Sequence, residues 1–257
     1  MQRQTLPWSA LTADTFRARS ISFCRMWGRP DDYVFRLMQL WDATFRIGYF
    51  ETRQRLKDIA GANIRKLSDV HCVPFEEGYR NVPQGGQFYT FVDDDDWFSP
   101  TLAEALTATE PAELDGLLWR AAIVGAPRWP SGVLLLPADG TCMTNNYAVT
   151  GNWLRPFDRL SQVTQHAAAV ETFSSPIKHT QLDALLSASN KSPCSSVSLS
   201  RGLNGDYRPA RLIELVSAYV DKMHTITPED LAPIAWAAPE TALTRELFDA
   251  VLASRRH

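Results

Sequence analysis

The sequence has few features of proteins that depend on cysteine-rich sites, membrane insertion or basic surfaces. Its four cysteines are widely spaced and form no CxxC pair, which argues against a zinc ribbon or a dense disulfide framework. No apolar run reaches the roughly 20 residues needed to cross a bilayer, and the N-terminus lacks the pattern of a secretory signal. The net charge of −3 shows no basic excess typical of nucleic-acid binders. We expect a cytoplasmic protein with no transmembrane segment and no nucleic-acid partner.

The composition that remains is that of a soluble globular protein, with 257 residues, 45% of them hydrophobic and 21% charged. This length allows one large α/β domain. Apolar residues spaced by three and four predict helices over Val34–Phe45 and from Tyr49 to a stop at Gly61, and two more helices over Pro209–Tyr219 and Leu243–Leu252. Strand candidates are Leu117–Val124 and Val133–Leu136.

The most unusual segment is a run of four aspartates between a strand pattern and a helix start. Phe88–Val92 is continuously aromatic or β-branched, as expected for a central strand covered on both faces. Asp93–Asp96 follow it, and Ser99-Pro100 then supplies an N-cap and a proline suited to the first turn of a helix. Adjacent carboxylates repel one another unless a cation neutralises them. Hard oxygen ligands favour Mg²⁺, Mn²⁺ or Ca²⁺, whereas the alternative is a solvated acidic turn.

The block Phe91–Pro100 resembles the strand–DxD–helix segment of GT-A glycosyltransferases, and is most similar to bacterial putative rhamnosyltransferases. Asp93 and Asp95 match the two aspartates of the DxD motif, Asp94 its variable position, and Asp96 a frequent additional acid. The resemblance implies an α/β fold, a GT-A-like nucleotide-binding sandwich with a mixed central sheet and additional C-terminal helices.

This resemblance divides the single domain into three parts. Residues 1–110 would be the nucleotide and metal half, 111–205 the acceptor half, and 206–257 the C-terminal helices. The implied function is metal-dependent transfer of a sugar, a hexose or deoxyhexose, from a nucleotide-sugar donor to a saccharide or other hydroxyl acceptor, as in polysaccharide biosynthesis. The metal would bridge the two phosphates of the donor.

The same resemblance assigns the donor side of the site. The Mn²⁺ or Mg²⁺ ligands would be Asp93, Asp95 and Asp96, completed by a histidine for which His166 is a candidate. A structural or exposed role for that histidine remains open. Asp93, Asp94 and Asp95 would contact the sugar nucleotide. Arg201, in the sequence Arg201–Asp206, would meet phosphate from a mobile glycine loop, or this segment is an ordinary surface loop.

Acceptor and catalytic residues are predicted further along the chain. The adjacent polar residues Asn145 and Asn146, with Tyr147, would bind acceptor hydroxyls, or they form a turn. Trp97 is a candidate aromatic face for a sugar. Inverting transfer needs a carboxylate base, for which Asp158 and Glu171 are favoured over other downstream acids.

Two other functional classes fit parts of the sequence. A catalytically degenerate GT-A-like domain could bind a sugar nucleotide or a partner without turnover, which the lack of a recognisable nucleotide-base motif favours. A carboxylate-rich phosphatase or nucleotidyltransferase should show additional acidic or lysine motifs, which the sequence lacks.

Overall fold

A computed structural model describes residues 30–67, 88–93, 95–109, 114–136, 143, 145–154 and 178–255. Helices and strands alternate along these ranges, which gives a mixed α/β protein. Their order is α1 (Tyr33–Thr44), α2 (Tyr49–Ile64), β1 (Phe88–Thr90), β2 (Asp96–Phe98), α3 (Leu102–Thr107), β3 (Gly116–Val124), β4 (Val133–Leu135), β5 (Tyr147–Thr150), α4 (Gly151–Leu154), β6 (His179–Asn190), α5 (Ser196–Leu203), α6 (Pro209–His224), α7 (Pro228–Leu231), a 3₁₀ helix (Ala232–Ala237) and α8 (Ala238–Ala253).

The described strands form one six-stranded mixed sheet in the order β1-β5-β3-β6-β2, with β4 also paired to β3. β3 and β6 are parallel, and the other pairs are antiparallel. The nine-residue β3 carries β5 along its first part and β4 along its last part, while β6 runs beside its whole length. The parallel pair therefore forms the centre of the sheet.

The connection between β1 and β2 requires this sheet to curl. These strands lie at opposite ends of the described path, yet only residues 91–95 join them. In a flat sheet, four strand spacings alone would separate them by about 19 Å. Six Cα-to-Cα steps reach roughly 20 Å only when the chain is fully extended, and the hydrogen bond from the N–H of Asp96 to the carbonyl of Asp93 closes a turn that shortens this connection. Curling brings the two end strands together and places the acidic segment across the gap between them.

Among the described residues, two apolar cores cover the faces of the sheet. The larger core packs helices α1, α2, α6 and α8 around buried aromatic residues that include Trp41, Trp97, Tyr219 and Phe248. The smaller core contains Phe98 and six other buried residues. Because Trp97 and Phe98 are neighbours in a strand, their side chains point to opposite faces. The short strand β2 is thus held from both sides of the sheet.

Most helix predictions are confirmed, with one boundary wrong. α1, α2, α6 and α8 occupy the predicted regions, and Pro209 is the first residue of α6. Gly61 does not end α2, because the helix continues to Ile64 and buries Gly61 within it. A helix tolerates an interior glycine at a cost of roughly 1 kcal/mol. No helix in the described ranges is both long and apolar enough to span a membrane.

The longest strand, β6, is not among the sequence predictions. Its sequence is rich in alanine, serine and polar residues, which have low strand propensity. Its last five residues are nevertheless buried, because it lies between β3 and β2 where small side chains fit. Ser187 shows the fit directly, since its hydroxyl accepts a 3.0 Å hydrogen bond from the indole N–H of Trp119.

The prediction of a fully covered central strand before the aspartates is wrong. Only Phe88–Thr90 form a strand, each of these residues is half-buried, and β1 ends one side of the described sheet. The aspartates therefore do not follow a central strand. The helix after them begins at Leu102 with Thr101 as its N-cap residue, so Ser99 does not cap it.

Candidate functional site at the carboxyl edge of the parallel strands

The acidic segment forms a turn that leads directly into β2. The N–H of Asp96 donates to the carbonyl of Asp93 at 3.3 Å, which closes the turn. Asp96 then pairs with Ser189 of β6, one residue before that strand ends. Val124, the last residue of β3, pairs with Asn190, the last residue of β6. The acids consequently lie at the carboxyl edge of the parallel pair, where open α/β sheets bind ligands.

The three described acids differ in exposure. Asp93 is exposed, Asp95 is half-buried, and Asp96 is only 3% exposed. Burial raises the pKa of Asp96 well above its ordinary value, and the charges of Asp95 and Asp93 raise it further. Lys191 and a hydrogen bond with Ser189 act in the opposite direction. A buried carboxylate in this acidic environment would be stabilised by an additional positive charge.

The other end of β2 is fixed by an asparagine from α2. The side chain of Asn63 accepts from the N–H of Phe98 at 2.7 Å and donates to the carbonyl of Phe98 at 3.1 Å. It thereby makes the two backbone bonds that a neighbouring strand would otherwise supply. Its amide also donates to Glu240 of α8, which receives a 2.6 Å ion-pair contact from Lys66. This buried network fixes the strand that carries Asp96.

Cationic side chains of α2 face the acidic turn. A small cavity of about 10 Å³ is lined by Asp95, by Arg53, Leu56 and Lys57 of α2, and by Cys194. The spacing of Arg53, Leu56 and Lys57 puts them on one helical face. Lys191 adds a positive charge from the segment after β6. The site therefore combines carboxylates with cations.

The segment after β6 connects the acidic turn to α2 and α6. The phenol of Tyr219 donates a 2.7 Å hydrogen bond to Oδ1 of Asn190, and the phenol of Tyr49 donates to the carbonyl of Cys194 at 3.0 Å. Burial raises the pKa of Tyr219, and nearby Cys194 and Asp95 raise it further. Asn190 directly follows Ser189, the partner of Asp96, so this bonded pair of side chains is attached to the strand end beside the acidic turn.

The described acids fit a Mg²⁺ or Mn²⁺ site of the open kind. Such ions use one or two carboxylates together with water and phosphate oxygens, so Asp93 and Asp95 can supply the protein ligands. Burial, the main cause of the raised pKa of Asp96, favours the neutral form of this carboxyl in the metal-free protein. Within the described ranges, no group of three or more acidic, cysteine or histidine side chains is arranged so that it could hold a metal ion.

The asparagine segment lies near the start of the acidic segment. β1 pairs with β5 so that Thr90 is opposite Ala148. The next residues along both strands, Phe91 and Tyr147, have ring centroids 5.9 Å apart. The acidic segment therefore leaves β1 next to the residues at which β5 begins. The sequence analysis did not predict this proximity, because it depends on the order of strands in the sheet.

The two asparagines have different environments. Asn146 donates to the carbonyl of Trp119 at 3.1 Å and accepts from the N–H of Met143 at 2.6 Å, so it links a turn to β3. Asn145 is fully buried, and neither atom of its carboxamide has a hydrogen-bond partner in the described structure. A buried, unsatisfied amide is costly. Asn146 is thus structural, whereas the buried carboxamide of Asn145 has unsatisfied donors and an unsatisfied acceptor.

Three other predicted site residues have structural surroundings. The rings of Trp97 and Tyr147 are 1% and 0% exposed, which makes both of them core residues. Arg201 does not lie in a loop, contrary to the prediction, because it is in the last turn of α5. The adjacent Gly202 packs against Leu215, where a Cβ would come within 2.7 Å. Only Asn204 and Gly205, with positive φ values of 47° and 83°, form the turn that follows.

Several predicted site residues lie outside the described residues. They are Asp94 of the four-aspartate run, the candidate bases Asp158 and Glu171, and the candidate metal ligand His166. Their assignments stay predictions.

The sequence analysis missed several residues that the fold brings to this edge. Arg53 and Lys57 are ordinary surface residues of a helix in sequence, and Asn63 carries no motif. Trp129 is 45% exposed. It lies in the turn between β3 and β4, and this turn begins at the same edge of the sheet, where β3 ends. Its position among prolines, between Pro127 and Pro130, is the one signal that could have separated it from core tryptophans.

Comparisons with known proteins do not assign a family. No protein-family model matches the chain, and neither a curated protein nor a solved structure matches it.

Proposed function

We propose that this protein is a metal-dependent glycosyltransferase that moves a sugar from a nucleotide-sugar donor to a saccharide or other hydroxyl acceptor. The observation that carries the proposal is the acidic turn, which resembles a DxD motif in sequence and lies at the carboxyl edge of the parallel strands. Metal-assisted diphosphate binding explains why carboxylates and cations are gathered there.

Asp93 and Asp95 would hold the ion, and Arg53, Lys57 and Lys191 surround the same turn with positive charge. A bound Mg²⁺ or Mn²⁺ supplies charge stabilisation for a leaving diphosphate. Asp96 supports this arrangement from within β2, where its hydrogen bond with Ser189 holds the turn against the sheet.

The acceptor would approach from the side of Asn145. Its carboxamide can donate to and accept from sugar hydroxyls, and no other described group satisfies it. The base that receives the acceptor proton would be Asp158 or Glu171, as predicted from the sequence.

The proposal is tested with a panel of nucleotide sugars in the presence of Mn²⁺. A true donor should raise the melting temperature of the protein in a metal-dependent manner, because a ligand that binds only the folded state stabilises it. Donor consumption with a panel of saccharide acceptors should then show transfer. If no nucleotide sugar of the panel stabilises the protein in a metal-dependent manner, the proposal is contradicted.

A second candidate function is sugar-nucleotide or partner binding without turnover. The burial of Trp97 and Tyr147 favours it, because neither ring presents a face on which an acceptor sugar could stack. Metal-dependent binding of a nucleotide sugar, without transfer or hydrolysis under any acceptor, would support this candidate over the enzyme.

A further inference from the structure

An open groove of about 320 Å³ lies between α2 and α8. Its apolar lining includes Leu247, which belongs to the larger core, and Ile59, which is half-buried against that core. Leu243 also lines the groove and is 48% exposed, more than any other large hydrophobic side chain in the described ranges. One exposed leucine is ordinary on a protein surface, but a leucine that projects beside an apolar groove forms a surface suited to binding another protein.

The two helices beside this groove run antiparallel and border it with charges of both signs. Asn63, near the end of α2, donates to Glu240, near the start of α8, whereas the groove residues come from earlier in α2 and from later in α8. The charged side chains at the groove are Arg55 and Asp58 of α2 and Glu246 of α8. An apolar centre is therefore bordered by a cation and by anions.

These features favour a second copy of the chain as the occupant of the groove. In a twofold symmetric contact both copies offer the same surface, so Leu243 of each copy can enter the groove of the other. A twofold axis parallel to the helices places α8 of one copy against α2 of the other, and Arg55 then faces Glu246 twice. None of the ion pairs between described residues includes Glu246, so its charge is available for this contact.

We propose that α2 and α8 form the interface of a homodimer, in which Leu243 of each copy packs into the groove of the other and Arg55 pairs with Glu246 between the copies. The apolar centre is small, so we expect a dissociation constant of about 1–100 μM and not an obligate dimer. Arg53 and Lys57, which border the acidic turn, lie on a different face of α2 from Arg55. The dimer therefore leaves the acidic turn uncovered, and the inference does not depend on the proposed function.

Sedimentation equilibrium of the full chain, from about 1 to 300 μM, measures this association. The wild type should shift from monomer to dimer over this range, and a protein that stays monomeric throughout would overturn the inference. Leu243→Asp should weaken association by about 100-fold or more, because an unpaired charge is buried twice in the symmetric interface. Its circular dichroism at low concentration should match the wild type, since Leu243 is exposed in the monomer. Tyr207→Asp, the same change at another exposed side chain, is the matched control and should leave association unchanged. Equal association of wild type and Leu243→Asp would overturn the inference.

Charge reversal tests the symmetry of the contact. Arg55→Glu and Glu246→Arg should each weaken the dimer by about tenfold, because two pairs of like charges then face each other across the interface. An equimolar mixture of these two variants should associate about as tightly as the wild type, since the mixed dimer restores both pairs of opposite charge. A mixture that associates no better than either variant alone would overturn the pairing of α2 with α8 of a second copy.

Discussion

The two ends of β2 differ although only one residue separates them. At Phe98 the backbone is paired on its outer edge by Asn63, and the bonds continue through Glu240 to Lys66. At Asp96 the strand begins with a buried carboxylate whose pKa is raised by burial and by two neighbouring acids. The Phe98 end contributes stability, whereas the Asp96 end holds charges that favour a bound cation. The difference shows how a strand of three residues can be fixed at one end while it carries an acidic site at the other.

The largest expected effect is at the charged end. Asp95→Asn keeps shape and hydrogen bonding but removes a charge that holds the metal, so transfer should fall by about 100-fold or more, a loss of about 2.7 kcal/mol. The stability of the metal-free variant should stay level or rise, because like-charge repulsion is relieved. Steady-state kinetics and chemical denaturation with chelator present measure the two effects. Loss of both stability and transfer would indicate a structural aspartate instead.

The next largest effect is a loss of stability at the Phe98 end of β2, where Asn63 pairs the backbone. Asn63→Ala removes both bonds to Phe98 and leaves those backbone groups and Glu240 without this partner. The free energy of unfolding should fall by about 2–4 kcal/mol. Gln54→Ala is a matched control on the same helix, because Gln54 bonds only to the exposed Asp58 among the contacts described here. It should cost less than about 0.5 kcal/mol, and a similar cost at both positions would contradict the anchoring role.

At Asp96, unlike at the Phe98 end of β2, we expect a contribution to stability that depends on pH. Its raised pKa means that the folded, metal-free protein binds a proton more tightly than the unfolded chain does. Stability from this group is therefore present at low pH and is lost as the pH rises from about 4 through the folded pKa. Asp96→Asn should be more stable than the wild type at neutral pH, and the difference should shrink on acidification. Denaturation curves at several pH values, with chelator, would show it; a pH-independent difference would contradict the burial of a charged group.

The smallest expected effect is at Glu104, an exposed acid in the first turn of the helix after β2. Glu104→Gln removes a negative charge from the same stretch of chain without touching the proposed ligands. Stability should change by less than about 0.5 kcal/mol and transfer should be unaffected. A loss of transfer comparable to that of Asp95→Asn would mean that the general negative potential matters more than specific ligation.

The helices could be predicted from sequence because α1, α2, α6 and α8 carry apolar residues at helical spacing. β6 could not be predicted, because its alanines and serines have no strand propensity of their own. These small residues fit because β6 packs between two other strands. The aspartates were expected at the carboxyl end of a central strand, whereas their position at the carboxyl edge comes from the pairing of β2 with β6.

The candidate site was predictable to the extent that its chemistry is local. The run of four aspartates is visible in the sequence. Asn145 was selected because two adjacent asparagines carry several donors and acceptors that need hydrogen-bond partners. Arg53, Lys57 and Asn63 could not be selected, because their roles depend on how α2 packs against β2. Arg201 was misplaced because its glycine neighbours suggested a loop, whereas Gly202 allows α5 to pack closely against α6.

The central claim is that the acidic turn binds a nucleoside diphosphate through a divalent ion. Calorimetry of nucleoside diphosphates, with Mn²⁺ and again with chelator, tests this claim most directly. The account predicts binding at least about tenfold tighter with Mn²⁺, because the ion joins the carboxylates of Asp93 and Asp95 to the phosphates. The same affinity with chelator as with Mn²⁺ would contradict it.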